Sequence, residues 1–152
     1  MEPLIDLASG AENNPLAARF AERIRSRVRE DPASARSFSA LKSTILVVPF
    51  DTGDALTLRF DLGRLVIHDG NVGIPSVTFG GPSDALIKLE DLRLPPFGEI
   101  VRGRAFTPSL REALRVFASR DIKIYGLWVH PRTIYRFLRL LSSAPPAFER
   151  AP

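Results

Sequence analysis

The segment LTLRFDLGRLVIHDG, residues 56–70, contains the clearest signal for a fold in this chain. Apolar and polar residues alternate along LTLRFD, which is the period of a strand with one buried face. A tight turn at Asp61-Leu62-Gly63 follows, and RLVIHD then returns as the second strand of a hairpin. The segment therefore predicts an antiparallel pair of strands with one face directed toward a core.

Three other segments have the composition of strands and extend this hairpin into a sheet. STILVVPFD (residues 43–51) precedes it, PSVTF (75–79) follows it, and DIKIY (121–125) comes much later. Because short loops join the first four strands, an antiparallel meander is the simplest pairing. The sequence thus predicts a five-stranded, largely antiparallel sheet.

A helix is predicted ahead of the sheet, in NPLAARFAERIRSRVRED (residues 14–31), with Asn14 as N-cap and Pro15 at the first helical position. One apolar stripe recurs every four residues and is interpreted as the face that docks on the domain: Leu16, Phe20, Ile24 and Val28. A parallel row of three arginines is interpreted as a solvated face, with acidic headgroups or nucleic acid as the alternative partner: Arg19, Arg23 and Arg27. Residues from Asp31 to about Lys42 are interpreted as a loop.

Helical periodicity returns in the second half of the chain. One helix is predicted after Pro82-Ser83-Asp84, a second from Pro108 behind Thr107, and a third from Pro131, with His130 as its cap. Between the first two lies LRLPPFGEIVRGRAF (92–106), which prolines and glycines break into an irregular, partly apolar segment. Strands followed by helices, without strict alternation, indicate the α+β class.

Length and composition are those of one globular domain. The chain has 152 residues, 45% hydrophobic and 25% charged, with a net charge of +4. Without cysteine there is no disulfide, thiolate nucleophile or cysteine-ligated metal. No stretch approaches the ~18 apolar residues of a membrane span, and the N-terminus is too acidic and too weakly apolar for a secretory signal. A cytoplasmic location is expected.

Catalytic signatures are sparse. The sequence contains no G-x-S-x-G, Walker or dinucleotide fingerprint, and its two histidines, His68 and His130, have no ligand-spaced partners. His68 precedes Asp69 on a strand, where adjacent side chains point to opposite faces and therefore diverge. The aromatic residues belong to apolar faces rather than to exposed stacking positions, which argues against nucleic acid. We therefore expect no enzyme, no cofactor and no metal.

Three segments together resemble the sterol carrier protein-2 domain, the nonspecific lipid-transfer family. They are the hairpin at 56–70, the strand-to-helix step PSVTFGGPSDALIKLEDL (75–92), and the closing unit VFASRDIKIYGLWVHPRTIYRFLRLL (116–141). The chain departs from the family pattern at two places. It has Arg120-Asp121 where the family often has a glycine, and it has Leu127 where the family often has Asp or Asn. The resemblance covers about Phe38 to Leu141.

The resemblance implies helices laid over one face of a sheet, with an apolar cavity between the two layers. The expected organisation is a flexible lead at 1–13, a lipid-binding domain at 14–142 and a Pro/Ala-rich tail at 143–152. The expected function of the protein is non-catalytic binding or transfer of a fatty acid, acyl conjugate, sterol-like molecule or isoprenoid. Transient contact with a membrane surface or a partner protein is left open. The expected lining residues are Leu58, Phe60, Leu86, Leu89, Phe97, Phe106, Leu110, Leu114, Phe117, Trp128, Ile134, Phe137, Leu138 and Leu141.

The bulky residues on these faces also allow a filled core without a cavity. The alternative function is then an accessory module with a closed core, which docks a partner protein through the arginine row of its N-terminal helix.

Overall fold

The computed structural model describes residues 3–91, 122–126 and 129–142. These residues form an α+β fold, as the sequence predicts. In chain order the elements are β1 Leu4–Leu7, α1 Pro15–Glu30, α2 Pro32–Ala40, β2 Lys42–Pro49, β3 Leu56–Asp61, β4 Arg64–Asp69, β5 Val77–Gly81, α3 Ser83–Ile87, β6 Lys123–Tyr125 and α4 Pro131–Leu141. Short 3-10 turns occupy Ala11–Asn13 and Lys88–Asp91.

The sheet is mixed and has six strands, in the order β1-β4-β3-β2-β5-β6. The predicted five-stranded antiparallel sheet is therefore wrong in number and in pairing. β2-β3, β3-β4 and β5-β6 are antiparallel, but β1 runs parallel to β4 and β5 runs parallel to β2. The predicted meander fails because β5 pairs with β2 on the far side of the hairpin rather than with β4.

The segment between β4 and β5 explains this crossover. The Thr57 hydroxyl donates to the Gly70 carbonyl at 2.7 Å and accepts from the Val72 amide at 3.0 Å. The Ser76 amide then donates to the Thr44 carbonyl at 2.9 Å. Thr57 alternates with the core-facing Leu58, so this segment crosses the face of the sheet opposite the helices. It delivers β5 to the outer side of β2.

The sixth strand lies in the residues expected to form a flexible lead. Leu4–Leu7 pair with residues 64–67, and the Ala8 amide donates to the Ile67 carbonyl at 2.8 Å. β1 is short and mostly exposed, so its alternation is too weak to be recognised from the sequence alone. The wider division into domain and tail stays a prediction.

The start of α1 confirms the predicted cap. The Asn14 side chain accepts hydrogen bonds from the Leu16 and Ala17 amides at 3.1 and 3.3 Å, with Pro15 at the first helical position. The predicted loop after Asp31 is wrong, because Pro32–Ala40 form α2. Asp31 ends α1 and caps α2 by accepting from the Ala33 amide at 3.2 Å. The Asp-Pro pair is the same start signal as Asn14-Pro15.

The hairpin turn puts a leucine in an unfavourable conformation. Leu62 and Gly63 both have positive φ, 47° and 99°, and Leu62 is 60% exposed. A two-residue turn with both φ positive matches the strand twist but favours Asn-Gly over Leu-Gly.

Replacing Leu62 with asparagine is expected to raise the free energy of unfolding by about 0.5–1 kcal/mol, because asparagine tolerates this conformation better than leucine. Urea denaturation would measure the change. The control is Leu4→Asn, since Leu4 is similarly exposed at 62% but lies in β1. If the Leu62→Asn protein is no more stable than the original, the proposed backbone strain at Leu62 is contradicted.

Candidate functional site

The last helix supplies an apolar face to the core beside the sheet. α4 begins with Pro131 at its first position, and the His130 amide donates to the Gly126 carbonyl at 2.9 Å. His130 occupies the N-cap position as expected, but its side chain makes no capping hydrogen bond. Five residues of α4 are buried: Ile134, Phe137, Leu138, Leu140 and Leu141.

Four buried phenylalanines connect the helices to the sheet. Phe38 of α2 meets Phe60 of β3 edge to face, with ring centroids 6.3 Å apart. Phe60 meets Phe137 of α4 at 6.1 Å, and Phe137 meets Phe79 of β5 at 5.2 Å. Such pairs add about 0.5–1.5 kcal/mol each beyond the burial of their area. This phenylalanine chain fixes α2 and α4 over β3 and β5, and any apolar site between the layers has it as a wall.

The predicted lining residues divide into two groups. Eight lie among the described residues and all are buried in the core: Leu58, Phe60, Leu86, Leu89, Ile134, Phe137, Leu138 and Leu141. The other six lie outside the described residues: Phe97, Phe106, Leu110, Leu114, Phe117 and Trp128. A depression in the described surface lies elsewhere, along α2 at Ala35, Arg36, Ser39 and Ala40, and is shallow and open. The cavity is thus not shown, and the lining set stays a prediction.

The arginine row of α1 is not the solvated face that the sequence suggested. Arg19 makes two hydrogen bonds to the Glu90 carboxylate, at 3.0 and 2.9 Å. Arg23 donates to the Leu141 carbonyl at 2.9 Å and to the Glu90 carbonyl at 3.1 Å. These bonds tie α1 to the end of α4 and to the 3-10 turn after α3. A periodic row of arginines cannot show this from sequence, since the acceptors lie 67 to 118 residues away.

The third arginine of the row is buried. Arg27 is 3% exposed and its guanidinium donates to Asp31 at 3.1 Å, while its Nε has no hydrogen-bond partner. Burial lowers the pKa of Arg27, and the nearby Arg23 and Arg139 lower it further against the attraction of Asp31. Arg27 is therefore an internal structural charge, and within the described part of the chain Asp31 is the carboxylate that compensates it.

Asp31 is held ionised by its surroundings. Burial raises its pKa, but hydrogen bonds from the Ser34 hydroxyl and the Ala33 amide, together with Arg27, outweigh burial and leave the pKa below its usual value. The Ser34 hydroxyl donates at 3.0 Å. Sequence reasoning missed this site, although Asp31 and Arg27 stand four residues apart at the spacing of a helical ion pair.

Two carboxylates, Asp69 and Asp51, have structural hydrogen-bond partners. The Asp69 carboxylate accepts from the Asn14 side chain at 3.3 Å, which joins the hairpin to the start of α1. The hydroxyl and amide of Ser83 both donate to Asp51, lowering the pKa of Asp51 and fixing the start of α3. In the described part of the chain, no three His, Cys, Asp or Glu residues gather as metal ligands would.

The described chain is an α+β domain in which helices lie over a mixed sheet and an aromatic layer stands between them. Among solved structures, a UbiJ-SCP2 ubiquinone synthesis protein is similar, with a TM-score of 0.58 at 15% identity. The likeness covers 86% of this chain and 95% of that one. At this identity it shows the fold alone: it confirms the sterol-carrier-like arrangement of helices over a sheet, but not the cavity that the sequence resemblance also implied.

Two further likenesses are weaker. A crystal structure of sterol carrier protein 2 has a TM-score of 0.45 at 13% identity, with 81% of this chain and 91% of that one covered. A sec-alkylsulfatase from Pseudomonas sp. has a TM-score of 0.44 at 17% identity, with 73% of this chain but 14% of that one covered. At such scores neither adds to the fold assignment. No protein-family model and no curated protein matches the sequence.

Within residues 3–91, 122–126 and 129–142, no helix is both long enough and apolar enough to span a bilayer.

Proposed function

We propose that this protein is a non-catalytic, cytoplasmic carrier of a hydrophobic ligand, which it binds or transfers in an apolar site between the sheet and the helices. The observation that carries the proposal is the sterol-carrier-like fold with an aromatic layer beneath α4. Eight of the fourteen expected lining residues belong to the buried core cluster that contains this layer. Affinity would come from apolar contact, at about 0.8 kcal/mol for each ligand CH₂ removed from water.

The order of the chain supports a site at this place. Leu89 is 1% exposed and lies three residues before position 92, while Ile122 is 3% exposed and lies directly after position 121. Described residues on both sides of 92–121 are therefore buried in the core. The sequence of 92–121 contains five of the predicted lining residues, and we propose that these complete the site. Lid-like segments over buried ligands are commonly irregular in sequence.

An isoprenoid lipid is the first ligand class to test. The solved structure with a TM-score of 0.58 is named a ubiquinone synthesis protein, and ubiquinone carries an isoprenoid chain. Fatty acids, acyl conjugates and sterol-like molecules remain in the comparison, since an apolar wall discriminates weakly among hydrocarbons.

Docking of a partner protein through the arginine row is the less favoured alternative, because these arginines are engaged within the domain. Arg27 is 3% exposed, Arg23 is bonded to Leu141, and Arg19 is paired with Glu90. Reversing the charge of all three would break the attachment of α1 rather than remove a docking surface.

Ligand binding can be measured by displacement of a fluorescent fatty acid, with native mass spectrometry of the freshly purified protein to identify a copurified lipid. Ile134→Thr is expected to weaken binding ~5–10-fold, because it puts a hydroxyl into the proposed wall. Val28→Thr is the matched control: both positions are buried on helices, at 4% and 2% exposure, but Val28 is outside the proposed lining. Equal loss in both variants, or no displaceable binding by any lipid class, would overturn the proposal.

A further inference from the structure

The strand register defines one end of the sheet, which we call the turn end. There Lys42 begins β2 opposite Asp61, the last residue of β3, and Leu4 begins β1 opposite Arg64. On the other half of the sheet β5 enters and β6 leaves at this same end, because β5 runs parallel to β2 and antiparallel to β6. The β3-β4 turn, the segment before β5 and the turn after β6 all project from it.

Exposed apolar side chains concentrate at the turn end. Among the described residues, five large apolar side chains are at least 60% exposed: Leu4 62%, Leu62 60%, Ile74 93%, Tyr125 60% and Val129 75%. Leu4 begins β1, Leu62 forms the hairpin turn, Ile74 stands three residues before β5, and Val129 stands in the turn between β6 and α4. Tyr125 is the last residue of β6. We call Leu4, Leu62, Ile74 and Val129 the apolar edge.

These side chains are displayed on backbone that is hydrogen-bonded nearby. The Leu62 amide donates to the Leu41 carbonyl at 3.0 Å, and the Ser76 amide, two residues after Ile74, donates to Thr44 at 2.9 Å. The His130 amide, next to Val129, donates to Gly126 at 2.9 Å. Leu62 is also a leucine held at positive φ, where its apolar side chain contributes strain without burial. The concentration of such residues at one end of the sheet, rather than their scatter over the surface, marks a candidate surface for an apolar partner.

The same end carries positive charge. Lys42, Arg59 and Arg64 are exposed there, with Asp61 beside them and Asp6 paired to Arg64 at 3.4 Å. Among the described residues, the opposite end carries one cation, Lys123, which lies opposite Gly80, and four exposed carboxylates: Asp51, Asp54, Asp69 and Asp84. A domain with this polarity turns its apolar, cationic end toward a negatively charged surface.

From this arrangement we infer that the turn end docks on an anionic lipid bilayer, with the apolar edge inserted among the headgroups. Separate apolar tips flanked by cations match the interface of a bilayer, where each cation near an anionic surface and each inserted side chain adds to binding. The inference goes beyond ligand binding, because it concerns the outer surface and requires no occupied cavity. The two proposals can therefore be tested separately: a protein that does not bind vesicles could still bind a displaceable ligand, and the reverse.

The test is co-sedimentation with phosphatidylcholine vesicles, with and without phosphatidylglycerol, over a range of salt concentrations. The protein is expected to bind the phosphatidylglycerol vesicles and to lose affinity as salt rises. The double variant Ile74→Ser/Val129→Ser is expected to bind at least ~10-fold more weakly, because two inserted apolar side chains are removed. Lys42→Glu/Arg59→Glu is expected to lose ~10-fold on anionic vesicles while leaving any residual binding to neutral vesicles unchanged.

Phe50→Ser is the matched control, since Phe50 is 54% exposed but lies just beyond the end of β2 that is farthest from the turn end. Its partition onto vesicles is expected to stay unchanged. The single tryptophan, Trp128, is next to Val129 in sequence and gives an emission signal for insertion. Undiminished binding of the Ile74→Ser/Val129→Ser protein, or no binding of the original protein to anionic vesicles, would overturn the inference. Self-association that this double variant abolishes would instead assign the edge to a second copy of the chain.

Discussion

Replacing Asp31 with asparagine is expected to lower the free energy of unfolding by about 3–5 kcal/mol, the usual cost of removing one partner from a buried ion pair. Arg27 is 3% exposed and donates to Asp31 at 3.1 Å, so the variant leaves a buried guanidinium without its carboxylate. Arg23 and Arg139 are close enough to act on the pKa of Arg27, and their repulsion is then uncompensated. Urea denaturation at neutral pH would give the value.

A second substitution separates the charge from the cap. Asparagine can still accept from the Ala33 amide, so the cap of α2 is largely kept. Arg27→Met in the Asp31→Asn background is expected to recover most of the loss, because methionine fills the site without a charge. If the double variant is no more stable than Asp31→Asn alone, the loss comes from the cap, and the buried pair is not the cause.

The pH dependence gives an independent measure of the same site. The pKa of Asp31 is lower in the folded protein than its ordinary value of 3.8. Its contribution is therefore fully present above pH 3.8 and is lost as the pH falls through the lower folded pKa. The Asp31→Asn protein should show a shallower loss of stability in this acid range. Asp51→Asn is a suitable comparison, since Asp51 also has a lowered pKa but lies at the surface.

The local signals in the sequence predicted local structure well. Asn14-Pro15 marked the start of α1, the alternation of 56–60 marked β3, and the spacing of apolar residues marked α4; each lies where expected. The missed α2 carried an equivalent Asp31-Pro32 signal, so that error was one of interpretation. In these cases the determining contacts are within a few residues of the pattern.

Pairing and charge placement depend on residues far apart in the chain, which periodicity does not encode. Short loops favoured β4 as the neighbour of β5, but the bonds of Thr57 to the 70–72 segment direct the chain across the sheet to β2. Likewise the arginines of α1 looked like a solvated face because their partners, such as Leu141, stand at the other end of the sequence. For the candidate site, sequence indicated the apolar faces of α3, α4 and β3, whereas the ring contacts that join α2, α4, β3 and β5 appear only in the tertiary structure.

Replacing Gly126 with alanine is expected to destabilise the protein by at least about 3 kcal/mol, because positive-φ strain and a backbone clash add. Gly126 has φ +93°, and an added Cβ would lie 2.5 Å from the Ser76 carbonyl oxygen. Neither backbone can yield easily: Ser76 is bonded to Thr44, and the Gly126 carbonyl accepts from the His130 amide at the start of α4. The substitution therefore pushes β6 from β5 and disturbs the position of α4.

Gly73→Ala is the matched control, since Gly73 has a similar φ of +80° but no atom within 4 Å of the added Cβ. It retains the strain without the clash and is expected to cost about 1–2 kcal/mol. Urea denaturation would compare the two, and amide hydrogen exchange of β6 should accelerate only in Gly126→Ala. Equal losses in both variants would mean that strain alone acts and that the close approach of Ser76 to Gly126 does not hold β6 in place. A larger loss at Gly126 would identify this contact as the point where the edge of the sheet fixes α4, and with it the wall of the proposed lipid site.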